Sequence, residues 1–285
     1  MKITDIITSN KPSLSFEVFP PKTTDRVESV VMATERIAAL SPSYMSVTYG
    51  AGGGTSRYTA DIASRLLSMG VTPLEHLSCI SSTRAEIRAI LTELRSRGIE
   101  NILALRGDIP EGGARPTDYR YASELITDIR EFGGFTVGGA CYPEGHPESE
   151  NGEKDIDALK LKVDSGCEFL TTQMFFDNNI LYNFMYRLLR RGVDVPVVAG
   201  IMPVTNAQQI KRIISISGNQ LPQRFIRLVD RYGESPAAMK QAGIAYATEQ
   251  IIDLYANGVN AVHVYSMNKP DVAAKIKENL SDIIG

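Results

Sequence analysis

The sequence predicts an α/β chain folded as a (β/α)8 barrel, the TIM barrel, with extra helices before the last strand. Three observations predict it. Short apolar runs rich in β-formers alternate, eight times over, with longer stretches of helical periodicity. The helical stretches end in glycine, at Gly70, Gly98, Gly133, Gly166, Gly192 and Gly258, or in a short polar turn. No linker or composition break divides the 285 residues, so positions 1–285 are expected to form one domain, near the ~250 residues usual for such barrels. A doubly wound sheet would want fewer strands or a clear second domain.

The elements follow in order. Leu14–Phe19 reads as a strand because it is apolar and β-rich and stops at Pro20-Pro21; Asp25–Leu40 follows with helical spacing. Tyr44–Thr48 leads to the helix Tyr58–Met69, and Pro73–Ser78 to Arg84–Arg97, with Ser82 or Thr83 as cap. Ile102–Leu105 leads through a loop to Tyr121–Phe132, and Phe135–Tyr142 through another to Asp155–Ser165. Phe169–Gln173 precedes Ile180–Arg191, and Val195–Ile201 precedes Ala207–Ser217. Helices over Pro222–Arg231 and Pro236–Asn257 fill the gap before Ala261–Tyr265 and the closing helix Asp271–Leu280.

Composition narrows the function classes. Apolar residues make up 43% of the chain, ample for a large core, and 30 basic against 33 acidic residues leave a net charge of −3. Without a basic stripe, nucleic acid is not an expected partner. No signal segment and no run of ~20 apolar residues appears, so a cytoplasmic protein without membrane contact is expected. Cys79, Cys141 and Cys167 lie far apart without a CxxC, which argues against a disulfide framework or a zinc site, and no metal is expected.

In a barrel of this kind the site lies at the C-terminal ends of the strands. Glu17 ends the first, walled in sequence by Phe16, Val18 and Phe19. A carboxyl in apolar surroundings keeps its proton and can serve as a general acid; a solvated edge-strand glutamate is the other reading. The second strand ends in Thr48-Tyr49 and the glycine-rich run Gly50–Gly54, either a phosphate cradle or a tight loop. It is neither a Walker A nor a dinucleotide fingerprint. His76 on the third strand could be a site residue or a satisfied core histidine. The fourth gives Arg106-Gly107-Asp108, a phosphate-binding arginine with a close-approach glycine, or an internal Arg–Asp pair. Tyr142-Pro143-Glu144-Gly145-His146, Gln173, His263 and Tyr265 complete the rim, with Asn206 and Gln209 opening the helix after the seventh strand. Lys162 would reach a phosphate only from a helix leaning over the mouth.

Together, Phe16-Glu17-Val18-Phe19-Pro20-Pro21-Lys22, Val47-Thr48-Tyr49-Gly50-Ala51-Gly52-Gly53, His76-Leu77-Ser78-Cys79, Leu105-Arg106-Gly107-Asp108, Tyr142-Pro143-Glu144-Gly145-His146-Pro147, Thr172-Gln173 and Gly200-Ile201-Met202-Pro203 resemble the methylenetetrahydrofolate reductases of the single-domain bacterial type. The resemblance runs through nearly the whole chain and is carried by the joint order of these motifs. It implies a cytoplasmic homo-oligomer that binds FAD at the barrel mouth, takes electrons from NAD(P)H, with NADH the expected donor, or from a partner protein, and reduces methylenetetrahydrofolate by a ping-pong route. It implies Glu17 as proton donor and Asp108 as the aspartate beside flavin and pterin. The FAD positions it implies are Thr48, Tyr49, Ala51, His76, Arg106, Gly107, Asp108, Ala122, Tyr142, His146, Asp155 and Lys162. The substrate positions are Glu17, Thr48, Asp108, Gln173, Gln209 and Lys269. Ala158, Leu161, Ile213 and Lys269 depart from residues common in the family. A non-redox barrel lyase or isomerase acting on a phosphorylated small molecule is the competing expectation, and a non-catalytic folate or flavin carrier a third.

Overall fold

The computed structural model describes residues 1–21, 23–49, 56–109, 118–210, 213 and 221–285. Eight strands, β1 (Ser13–Val18), β2 (Met45–Val47), β3 (Pro73–Ser78), β4 (Asn101–Leu105), β5 (Thr136–Cys141), β6 (Phe169–Thr172), β7 (Val197–Ile201) and β8 (Ala261–Val264), form one closed barrel in chain order. Every neighbouring pair is parallel, and β8 closes on β1 with Ser15 opposite His263. The (β/α)8 barrel expected from the alternation is therefore the fold.

Helices α2 (Val27–Ala38), α3 (Ser56–Ser68), α4 (Arg84–Ser96), α5 (Ala122–Phe132), α6 (Gly152–Asp164) and α7 (Asn178–Arg190) connect successive strands through β7. Residues 207–210 are helical, and most of the rest of the helix expected over Ala207–Ser217 lies outside the described residues. The extra helices are α8 (Gln223–Tyr232) and α9 (Pro236–Ala256), and α10 (Pro270–Asn279) and α11 (Ser281–Ile284) follow β8. None of the described helices is long and apolar enough to cross a membrane.

Local chemistry fixes the helix ends. Thr83 accepts from the Glu86 N–H while the Glu86 carboxylate accepts from the Thr83 N–H, a reciprocal cap at the expected place. At the other end of α4, Gly98 takes a left-handed φ of 77°; its N–H donates to Arg95 O and that of Ile99 to Leu94 O. The Asn151 side chain accepts from the N–H groups of Glu153 and Lys154, so α6 begins before the expected Asp155. Asp177 starts α7 early in the same way.

Side chains alternate along each strand. Phe16, Val18, Met45, Val47, Leu77, Ile102, Val137 and Val262 face the helices and join the main core with Ile37, Leu66, Leu91, Ile126 and Ile276. The opposite set fills the barrel. At its N-terminal end Tyr44, Leu74, Leu103, Phe169, Val198 and Ala261 pack against Ile3 and Ile7 of a short helix, α1 (Ile3–Ile7), which the sequence reading had not assigned. The Ile3 N–H donates to Asn101 Oδ1 at 2.9 Å, fixing this plug from inside β4. Gly138 makes room for the Phe169 ring, whose Cζ would lie 2.3 Å from a Cβ there.

Candidate active site

Glu17 lies at the C-terminal end of β1, opposite Ser46 of β2. Its side chain points into the barrel, because Phe16 and Val18 take the outward positions. Of the apolar wall expected from its chain neighbours, Phe16 and Val18 are thus on the other face. What excludes water is the barrel interior itself, which leaves Glu17 only 6% exposed. Burial pushes its pKa up to about 8. His76 of β3 faces it, Nε2 standing 3.8 Å from Glu17 Oε2. Burial drives His76 the other way, down to about 4. At neutral pH both groups are uncharged, so this contact is a neutral pair, and its length exceeds a hydrogen bond. The solvated-edge reading of Glu17 does not hold.

Beneath the pair lies a fixed polar chain. The Ser15 hydroxyl donates to Val262 O at 3.0 Å, so its oxygen accepts from His263 Nδ1 at 2.7 Å. His263 Nε2 then accepts from the Ser46 hydroxyl at 2.9 Å. The three groups specify one tautomer. Burial holds His263 near a pKa of about 3, with the neighbouring His76 acting in the same direction. Its ring stacks on Tyr44 at 5.6 Å and meets the edge of Tyr265 at 5.5 Å. Tyr265 in turn donates to Thr172 O at 2.5 Å.

The rim over β4 and β5 carries the cationic and aromatic groups. Arg106 directs its fork at Glu148, at 2.5 and 2.7 Å, rather than at Asp108, so the internal Arg–Asp pair is not formed. Gly107 has φ 90°, and a Cβ there would fall 2.0 Å from Ser78 Oγ; only glycine fits. Asp108 is exposed beyond it. Tyr142 and His146 meet edge-to-face at 4.6 Å. Glu148 N–H donates to His146 Nδ1, and burial raises the Asp155 carboxyl against the opposing pull of the His146 N–H. Ala122 opens α5 with its methyl buried. Lys162 does not reach over the mouth. Its ammonium donates to Ala140 O at 2.7 Å inside the wall, where burial lowers its pKa.

On the far side Gln173 donates toward the Tyr142 hydroxyl and accepts from Met174 N–H at 3.0 Å. Thr205, which sequence reasoning passed over, joins two expected residues: its N–H donates to Gln209 Oε1 at 3.1 Å and its hydroxyl accepts from Lys269 Nζ at 2.7 Å. Thr48 is half-buried at the end of β2. Tyr49 packs on the main core. Ala51, with the rest of Gly50–Gly54, lies outside the described residues. The roles of Ser15, Ser46 and Glu148 were also missed. The inward period of β1 and β2 would have flagged the two serines.

Comparison with known proteins accords with this geometry. The profile of the family "Methylenetetrahydrofolate reductase" matches residues 2–281. The Escherichia coli K12 protein named 5,10-methylenetetrahydrofolate reductase is 34% identical over 269 residues, covering 94% of this chain and 90% of the relative. Arabidopsis thaliana methylenetetrahydrofolate reductase (NADH) 1 is 33% identical over 98% of this chain and 50% of its own length. Among solved structures, a Clostridium thermocellum protein described as binding two copies of 5-methyl-5,6,7,8-tetrahydrofolic acid shares the fold, with TM-score 0.67, 12% identity, and coverage of 99% of this chain and 100% of its own. By profile and by identity over almost its full length, this chain belongs to the methylenetetrahydrofolate reductase family of oxidoreductases.

Proposed function

We propose that residues 1–285 form a single catalytic unit that binds FAD and reduces 5,10-methylenetetrahydrofolate to 5-methyltetrahydrofolate, with NADH as donor and the two substrates using one place in turn. The observation that carries this reading is Glu17, a buried carboxyl that keeps its proton to about pH 8 at the barrel rim of a chain in this family. The donor set fits a flavin dinucleotide. Arg106 supplies a cationic group for a diphosphate on leaving Glu148, Lys162 would join it only by leaving Ala140 O, and Tyr142 and His146 supply aromatic surface. Thr48, His76, Ala122 and Asp155 complete the set. When bound, the flavin supplies hydride relay between nicotinamide and folate.

The chain's own residues do the acid–base work. Glu17 gives its proton to the folate nitrogen as the bridging C–N bond breaks, and the bond's electron pair stays on that nitrogen. The methylene carbon, left as an iminium cation on the other nitrogen, then accepts hydride to become the methyl group. Asp108 offers a negative charge to that cation. Gln173 hydrogen-bonds the pterin and the nicotinamide; Gln209 and Lys269, held together by Thr205, take the rest of the folate. The C. thermocellum protein of similar fold binds the same product class.

Purified protein is expected to be yellow, and Glu17→Gln is expected to lose folate reduction by ~10²-fold or more while oxidising NADH with a quinone dye at the wild-type rate. Equal survival of both half-reactions would remove Glu17 from the chemistry. Colourless protein that gains no flavin from added FAD would remove the redox reading.

A further inference from the structure

Strand β3 places two titratable residues back to back. His76 faces the barrel interior, while Glu75 faces the helices, at positions where the other strands carry Val18, Val47, Ile102 or Val137. Glu75 is 2% exposed. Among the described residues no hydrogen-bond partner meets its Oε2. Arg97 of α4 stands nearby, but its guanidinium is committed to Asp61 at 2.9 Å, Glu93 at 2.7 Å and Ser64 at 3.3 Å. A buried carboxyl oxygen without a partner is uncommon and costly, and packing alone does not call for it.

Glu75 lines a cavity of about 350 Å³ between β3 and helices α3 and α4, within the size range of small-ligand sites. Tyr49, Ala60, Ile90 and Leu94 make its apolar walls, and Glu93 and Arg97 complete the lining. Two carboxylates thus face one guanidinium whose donors are already shared. What is left over is an unfilled acceptor on Glu75, and a negative charge once its proton leaves.

We infer that this cavity is a binding site for a small organic cation, a primary ammonium on a short apolar chain, with the ammonium on the Glu75 carboxylate and the chain against Ala60, Ile90 and Leu94. The site is separate from the barrel mouth and does not rest on the reductase reading. Burial, opposed by Arg97 and reinforced by Glu93, raises the Glu75 pKa to about 8, so the free site holds a proton at neutral pH. Docking of an ammonium converts the acid to its carboxylate and sends that proton to solvent. The charged and titratable groups facing Glu75 are Glu93 and Arg97 of α4, Asp61 of α3 through Arg97, and Tyr49.

The experiment is isothermal titration of the full-length protein at pH 7 with n-pentylammonium, and with n-pentanol and pentanoate as neutral and anionic controls. Repetition in phosphate and in MOPS, buffers without a primary amine, gives the number of protons released. Pentylammonium is expected to bind one to one, releasing close to one proton, and more tightly than either control. Glu75→Gln, which keeps the shape, is expected to weaken pentylammonium by roughly tenfold or more and to leave pentanol unchanged. Absence of pentylammonium binding to the wild type, equal binding by Glu75→Gln, or binding without proton release would each overturn the site. Should Glu75→Gln not fold, the ranking of the three ligands and the proton count on wild type still decide.

Discussion

Glu17 Oε2 and His76 Nε2 face each other at 3.8 Å across the barrel, one acid protonated and one base unprotonated at neutral pH. Each is neutral for the same reason, loss of water, which raises a carboxyl and lowers an imidazole. The acid is therefore armed without a cation to hold it. Single-turnover folate reduction by prereduced enzyme is expected to be flat in the neutral range and to fall about tenfold per pH unit above about 8. Stopped-flow traces across pH 4.5–9 check this. A profile already falling at pH 5 would show Glu17 ionised in the working site.

The same burial sets a pH slope on stability. Glu17 and Glu75 each have a folded pKa of about 8, so above the ordinary carboxylate range the native state binds protons that the unfolded chain has lost. Stability then falls as pH rises. His76 and His263, with folded values of about 4 and about 3, act oppositely and cancel this below pH 6.5. Between pH 6.5 and 8 only the glutamates remain, and stability is expected to drop. Glu17→Gln and Glu75→Gln should each recover about 1–2 kcal/mol at pH 8 relative to pH 6.5 in urea unfolding. An unchanged slope in both variants contradicts the assignment.

His263 joins β8 to β1 and β2 through Ser15 and Ser46. His263→Leu leaves the Ser46 hydroxyl without its acceptor inside the barrel and is expected to cost roughly 2–3 kcal/mol. His263→Asn, which keeps a donor and an acceptor, should cost less. Equilibrium denaturation ranks the two, and a leucine variant as stable as wild type would make the chain of hydroxyls incidental.

Gly243 of α9 lies so close to β7's exit loop that a Cβ would sit 1.8 Å from Val204 O. Gly243→Ala must push Val204, and with it Thr205, which holds Gln209 and Lys269. The KM for methylenetetrahydrofolate is expected to rise roughly tenfold, while NADH oxidation with a dye is little changed. Loss of both half-reactions together would place the strain elsewhere.

Much of the fold could be read before any coordinates, because alternation of period and punctuation by glycine are local signals. Helix starts were less legible. Asn151 and Asp177 cap from outside the apolar period, so α6 and α7 begin earlier than their hydrophobic faces. Helix α1 is a single turn with two apolar anchors, too short for periodicity to register. In the site, Glu17 at a strand end was legible as a residue, but the face it occupies was not. Phe16 and Val18, which looked like its wall in the sequence, belong to the other side of the sheet. His76 opposite Glu17, Lys269 on Thr205, and Glu148 on Arg106 are contacts between separate βα units, which no single stretch of sequence contains.

With Ile3 and Ile7 stoppering the floor of the barrel, the described residues leave Glu17 no approach from below. On the function proposed above, a nicotinamide and a pterin drawn to the same chamber would have to queue, a spent guest withdrawing before the next is admitted.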